Sequence, residues 1–489
     1  MLEKPSHVFD RAAEWRALAQ FVDRVGQRPQ FGVVSGRRRQ GKTYLLESLA
    51  TASGGFYFGA TEATQTDSLS QLTAALSAYL GLPIPLRFAD WSEAVSFLFA
   101  ESRLRSAPVV IDEFPFLSKA APSLPSILQH AIDRTAIPRE GPSLLICGSA
   151  QSVMGRLLSG QAPLRGRANL ELRLRPFEYR LAAQYWGIDD PKLAVMVHAI
   201  VGGTPAYREF VSADAPADLE DFDGWVLRTV LNPTTPLFPE ARYQMAEEVN
   251  DHRETGLYPS VLAAIATGNN TRGGIANAVG RKSSDLTHYL NVLEDTGLIT
   301  RAQDAFRSGR SSYRIAEPLI TFHQAIARTE LGPLEAGRAA AVWARKRPQF
   351  LAQVLGPHFE ALCRSYTELA AAQLFGAEAG QVLSGVVTDH TRRSQIEIDV
   401  VVFGAPQAGE PQRILALGEA KWGTILGARH IERLRRARDL LAERGYDTRD
   451  TTLVGYSAAG FEAGLSEAGL SRSGERVKLI GLADLYAPV

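Results

Sequence analysis

Residues 36–43 read GRRRQGKT, a glycine, four residues, then Gly-Lys-Thr, and residue types in that order suit a phosphate chain. Gly36 and Gly41 let backbone N–H groups wrap the phosphates, Lys42 reaches the β- and γ-oxygens, and Thr43 offers a hydroxyl to Mg²⁺. Farther on, VVIDEF brings Asp112 and Glu113 to the end of an apolar run. There Asp112 is expected to bind Mg²⁺ directly or through water, and Glu113 to polarise the attacking water. LLICGSA puts Ser149 at the tip of another run, to meet the γ-phosphate or water, or to cap a helix. In PLRGR, Arg165 and Arg167 share a turn; either would neutralise developing charge, in cis or from another copy, or serve as a surface ion pair. The chemistry expected of this constellation is ATP binding and hydrolysis with Mg²⁺.

A second constellation lies near the other end. SQIEIDVVVFG and, after a connection, RILALGEAKWG both read as strands. Period two sends Ile396, Ile398 and Val400 to one face and Glu397, Asp399 and Val401 to the other, and sets Glu419 and Lys421 on a common face. Were the strands neighbours, Asp399 would join Glu419 and Lys421. Asp399 and Glu419 would then hold Mg²⁺, Glu360 in GPHFEALCRSYTEL would add a carboxylate, and Lys421 would stabilise the nucleophile or transition state of phosphodiester hydrolysis. Arg433, Arg435, Arg436 and Arg438 in the basic stretch 428–445 would meet phosphate. The alternative is a salt bridge in which Lys421 neutralises Asp399 and Glu419 on a silent scaffold.

The elements that must position these groups alternate along a chain of 489 residues, long enough for several domains. Residues 1–180 alternate helix and strand as a P-loop core, 181–250 read as a helical lid, and 251–325 give three helix-sized pieces and two strands, a winged helix. Residues 326–489 return to mixed α/β alternation. The fold class expected is therefore α/β, a P-loop NTPase core with helical lid, winged helix and a C-terminal mixed α/β domain.

Two cysteines, Cys147 and Cys363, cannot make a disulfide framework. With no signal-like opening and no membrane-length apolar run, a cytoplasmic protein without a membrane partner is expected. Lys+Arg and Asp+Glu both total 53, so net charge neither favours nor opposes a polyanionic partner.

The ordered set VFDRAAEW, GRRRQGKT, VVIDEF, LLICGSA, PLRGR and VGGTPAYREF, followed by a winged helix, resembles the archaeal-type ATPases of the AAA+ and STAND group over residues 8–320. The resemblance implies an ATPase whose lid and winged helix move with nucleotide state. Phe9, Asp10, Arg11 and Glu14 match that family's leader beside the adenine pocket, and Gly202, Gly203, Pro205 and Tyr207 its lid turn. The C-terminal residues resemble the PD-(D/E)xK restriction-endonuclease-like superfamily, with Ile398-Asp399 for the Pro-Asp pair and Glu419-Ala420-Lys421 for the second half. A domain of this kind is a known companion of those ATPases.

In the winged helix, Ser283, Ser284 and Thr287 open a recognition-helix pattern and FRSGRSSYR forms the wing; DNA contact and a purely packing role are both open. The leading expectation is an ATPase whose nucleotide state gates a Mg²⁺-dependent nuclease acting on DNA, with self-association through the ATPase part. The alternative is an ATP-driven switch whose C-terminal domain binds nucleic acid or protein without cleaving it.

Overall fold

The computed structural model describes residues 2–24, 30–135, 142–149, 151–160, 162–249, 256–472 and 474–488. The boundary expected between lid and winged helix, at 250/251, lies outside the described residues. The chain divides into two compact units.

The first comprises Met1–Pro176 with Thr204–Ala206 and Asp295–Gly297. Its sheet is built from β1 (Gln30–Ser35), β2 (Phe56–Gly59), β3 (Pro108–Asp112), β4 (Ser143–Gly148) and β5 (Leu170–Arg173). They pair in parallel in the order β2-β3-β4-β1-β5. Strand alternation splits the interior into two layers. Phe31, Val33, Val109, Ile111, Leu144 and Ile146 join one apolar cluster, while Val34, Val110, Leu145 and Cys147 pack on the other face with Leu45, Leu46 and Leu49 of helix Lys42–Ser53. Asp112 follows Val110 on that second face, which aims it at the helix carrying Thr43. Both edge strands, β2 and β5, were not legible as strands: each has four residues, too few to show a period.

The second unit comprises Phe177–Gly203, Tyr207–Glu294 and Leu298–Val489. The segments expected as lid, winged helix and C-terminal domain feed one apolar core, from Trp186 and Trp225 through Leu262, Leu290 and Phe322 to Phe359, Val400 and Tyr456. The winged helix has helices Leu257–Ala266, Arg272–Ala278 and Leu286–Asp295, then an antiparallel pair, β6 (Ile299–Gln303) and β7 (Ser311–Ile315).

The C-terminal sheet contains β8 (Gln381–Asp389), β9 (Ser394–Phe403), β10 (Ile414–Lys421), β11 (Thr452–Ser457) and β12 (Arg476–Gly481), in the order β12-β11-β10-β9-β8. Pairing is antiparallel from β8 to β10 and parallel from β10 to β12. Helix Gly356–Phe375 packs on one face and helix Ala428–Glu443 on the other.

The simple alternation expected for β9 fails at Asp399. Ile396 and Ile398 join the cluster beneath helix Ala428–Glu443 together with Val401 and Phe403, whereas Val400 and Val402 face the opposite core. The cause is a register shift: Leu383 pairs with Val401 but Gly385 with Ile398, so β9 carries an extra residue at positions 399–400. Such a bulge re-aims the side chain it carries.

Two part-buried histidines join helix Pro191–Val201 to helix Gly356–Phe375. His198 Nδ1 and His358 Nε2 lie 2.8 Å apart in a hydrogen bond. Burial lowers the pKa of His198 to about 4, and burial followed by His198 itself holds His358 well below its ordinary value. A lowered folded-state pKa gives stability that is complete above the unfolded value near 6.5 and is lost as pH falls through the folded one. We therefore expect urea-denaturation stability to fall between pH 6.5 and 4, by on the order of 3 kcal/mol from His198. Replacing both histidines by leucine should flatten that part of the profile.

Candidate functional sites: a phosphate loop and a C-terminal charge cluster

The loop after β1 runs directly into helix Lys42–Ser53, whose first N–H groups are free of intrahelical partners and point into the loop. Gly36 has φ +151°, and a Cβ there would stand 2.6 Å from the Leu174 carbonyl oxygen, so only glycine fits. Lys42 is buried and its Nζ donates to the Arg37 carbonyl at 2.8 Å, folding the ammonium over the loop.

Asp112 is the hub beside it. Its Oδ2 accepts from Thr43 Oγ1 at 2.6 Å and from the Tyr57 hydroxyl at 2.9 Å, while Oδ1 accepts from the Glu113 N–H at 2.8 Å. Burial, then the Asp112 charge, pushes the Tyr57 phenol far up, so it is a neutral donor. Glu113 takes a left-handed backbone, φ 50°, and Ser149 Oγ is 3.1 Å from each of its carboxylate oxygens. Ser149 thus orients Glu113.

Gln40 ties three segments together. Its carbonyl accepts from Arg11 Nη2 at 3.2 Å and its Nε2 donates to Thr204 Oγ1 at 3.1 Å. Arg11 in turn pairs with Glu14 at 3.0 Å. The adjoining Gly203 lies against Phe177, where a Cβ would meet the carbonyl oxygen at 1.9 Å. Tyr57, Gln40 and Thr204 escaped sequence reasoning because their roles depend on partners distant in the chain.

The two arginines differ. Arg167 makes a fork onto Asp133, 2.7 and 2.8 Å, and also donates to Pro163 and Arg165 carbonyls. Arg165 is exposed and donates to the Gly160 carbonyl. Thr43, Asp112 and the loop amides fit Mg²⁺ and a triphosphate by donor type: a hydroxyl and a carboxylate for a hard cation, N–H groups and an ammonium for anions.

In the second unit β9 and β10 are neighbours, and Asp399, Glu419 and Lys421 do meet. Lys421 Nζ lies 3.1 Å from Glu419 and 3.8 Å from Asp399, and the Asp399 carboxylate accepts from the Ala420 N–H at 2.9 Å. Glu419, 1% exposed, is gripped on its other side by Arg433, 2.9 and 3.1 Å. Burial raises the pKa of Asp399. Glu360 is pushed up to about 7 by burial first and the Asp399 charge second. Among the described residues, no group of three or more His, Cys, Asp and Glu side chains is placed to hold a metal ion. Of the three carboxylates expected as metal ligands, Glu419 pairs with Lys421 and Arg433 and Asp399 with Lys421, while Glu360 lies in the field of Asp399, Arg364 and Arg314.

The arginines expected to meet phosphate are likewise engaged. Besides Arg433, Arg435 and Arg438 pair with Glu475, and Arg436 with Asp389. Trp422 packs edge-on against Phe359. The wing leans on the sheet as well: Ala305 N–H donates to the Ser384 carbonyl, Phe306 packs on Phe403 and Tyr446, and Arg307 bonds Thr388. Arg314 donates to the Pro357 carbonyl. Asp399 and Glu360 line a cleft of about 250 Å³ together with the wing residues Asp304, Arg310 and Ser311.

No protein-family model matches the chain. An uncharacterised protein of Methanocaldococcus jannaschii is 29% identical over 333 residues, 67% of this chain and 70% of that one. Among solved structures, a Walker-type ATPase of Pyrococcus abyssi superposes with a TM-score of 0.51 at 18% identity, over 66% of this chain and 97% of that one. The fold is that of a Walker-type P-loop ATPase. The ORC2 protein of Aeropyrum pernix, in ADPNP and ADP complexes, aligns with a TM-score of 0.39 at 16% identity, over 69% of this chain and 100% of that one. Among the described residues no helix is long and apolar enough to cross a membrane.

Removing one partner of a buried charge leaves the other uncompensated, which costs several kcal/mol in a closed interior and less when the partner is part-exposed, as Arg433 is at 43%. Arg433→Ala should therefore lower unfolding stability by about 1–3 kcal/mol, and adding Glu419→Gln should recover much of the loss in a urea titration.

Proposed function

We propose that the protein is an ATP-binding and ATP-hydrolysing switch of the AAA+ and STAND kind, whose C-terminal part engages nucleic acid or a protein partner without cleaving it. The observation that carries this reading is the pairing of the C-terminal carboxylates. Glu419 is buried between Arg433 and Lys421, and Asp399 is bound to the Ala420 N–H. A carboxylate already paired with two cations gains less from a divalent ion and must break those pairs to accept one.

At the nucleotide site the roles divide by position. Lys42 and the amides after Gly41 bind phosphate, Thr43 and Asp112 hold the metal, and Glu113, set by Ser149, takes the proton of the attacking water. Bound Mg²⁺–ATP supplies the phosphoryl group and the positive charge that offsets its oxygens. Arg165, exposed and free of any carboxylate partner among the described residues, suits a finger offered to another copy better than Arg167, which Asp133 holds. Nucleic-acid contact is supported by the groove between helix Leu286–Asp295 and the wing, about 390 Å³, lined by Arg272, Arg301 and Arg310 and, among the described residues, by no acidic one.

Lys42→Ala should abolish ATP turnover, and Glu113→Gln should lower it about a hundredfold or more while nucleotide binding persists. DNA and RNA incubated with Mg²⁺ or Mn²⁺, with and without ATP, should show no cuts that Asp399→Ala and Lys421→Ala both remove. Metal-dependent cuts lost in both variants would instead establish the nuclease reading, which the convergence of Asp399, Glu419 and Lys421 also favours.

A further inference from the structure

A cleft of about 710 Å³ lies between the first two helices of the winged helix and the helical segments 323–330 and 346–349, wholly within the second unit. Its volume is that of a small-molecule site. Three features distinguish it from an ordinary surface depression.

The first is its charge. Arg281, Arg328 and Lys346 line it, and among the described residues no aspartate or glutamate does. Arg328 has no side-chain hydrogen bond or ion pair among the described residues. Lys346 reaches Gln349 at 3.0 Å and, outside the cleft lining, Glu330 at 3.7 Å.

The second is an orphaned polar atom. Gln324 is 4% exposed, its Nε2 is spent on the Met245 sulfur at 3.0 Å, and its Oε1 has no partner among the described residues. A buried amide oxygen left so costs on the order of 1–3 kcal/mol, and groups of this sort in folded proteins normally meet a donor.

The third is the backbone. Gln324 and Ala325 lie in a π-helical turn, His323–Ala327, and Gln349 immediately precedes a second one, Phe350–Leu355. π-Helical turns are rare and concentrate where a side chain has to be set for a function.

We propose that this cleft binds a small anionic molecule of nucleotide size, its phosphate or carboxylate held by Arg328, Lys346 and Arg281 and an N–H or O–H donor on it satisfying Gln324 Oε1. The small walls at Ala263, Ala264, Ala278 and Ala325 leave room for a flat or compact body. A buried amide at the base of a concave site is out of reach of a duplex backbone, which favours a small ligand over DNA.

The test uses the full chain carrying Lys42→Ala, so that the phosphate loop contributes no binding, and failure here would leave the ATPase reading untouched. Titration calorimetry with inorganic pyrophosphate and with adenosine monophosphate should each give one saturable site. Adding Arg328→Ala, a half-buried position whose thermal melt should be unchanged, should weaken both by about tenfold or more, the scale of one charged hydrogen bond. Gln324→Leu should weaken adenosine monophosphate, whose donor meets Gln324 Oε1, and spare pyrophosphate. The proposal is overturned if neither probe saturates, if Arg328→Ala leaves both affinities unchanged, or if Arg328→Ala weakens only the binding of a DNA duplex.

Discussion

The phosphate loop depends on Gln40, which is 1% exposed and sits one residue before the glycine that opens the helix. Its carbonyl is held by Arg11 from the leader and its amide holds Thr204 from the turn. A loop that wraps phosphate must keep its N–H groups aimed inward, and a backbone held at one point from both sides does so without help from a ligand. Thr204–Ala206 pack with the first unit, yet the chain on either side, Gly203 and Tyr207, packs with the second. The turn is thus one of several places where the chain crosses between the two units.

The two acidic sites obey opposite electrostatics. Asp112 collects neutral donors, Thr43, Tyr57 and the Glu113 N–H, so its charge is left available for a cation. Glu419 collects two cations and is already compensated. Through Arg433, Glu419 makes the C-terminal sheet cohere with helix Ala428–Glu443. That contrast underlies the choice of a switch over a gated nuclease.

Much of this was legible in the sequence because it is local. GRRRQGKT and VVIDEF set out a turn and a strand end that need no distant partner to be understood, and the winged helix showed its helices and strands in order. The strands carrying Asp399 and Glu419 were also legible, from the period of two apolar runs, and their pairing is given by the sheet. What was not legible is long-range or irregular. The bulge at Asp399 breaks the period that would have placed Val400 with Ile398. The partners of Arg433, Arg435, Arg436 and Arg438 lie on other elements, so a basic helix that reads as a phosphate surface is a row of ion pairs. The wing, read as free to touch a nucleic-acid backbone, spends Arg307 and Phe306 on the C-terminal sheet. β2, β5 and the role of Tyr57 were hidden by brevity and by the need for Asp112 in three dimensions.

The most direct test is hydrogen exchange across Thr204–Phe210 in the Glu113→Gln protein, with and without Mg²⁺–ATP, beside the same pair of measurements on a chain that also carries Gln40→Ala. If the loop drives the turn, ATP changes protection in this segment and Gln40→Ala removes the change while ATP still binds. Unchanged protection on ATP binding, or a change that survives Gln40→Ala, would contradict it.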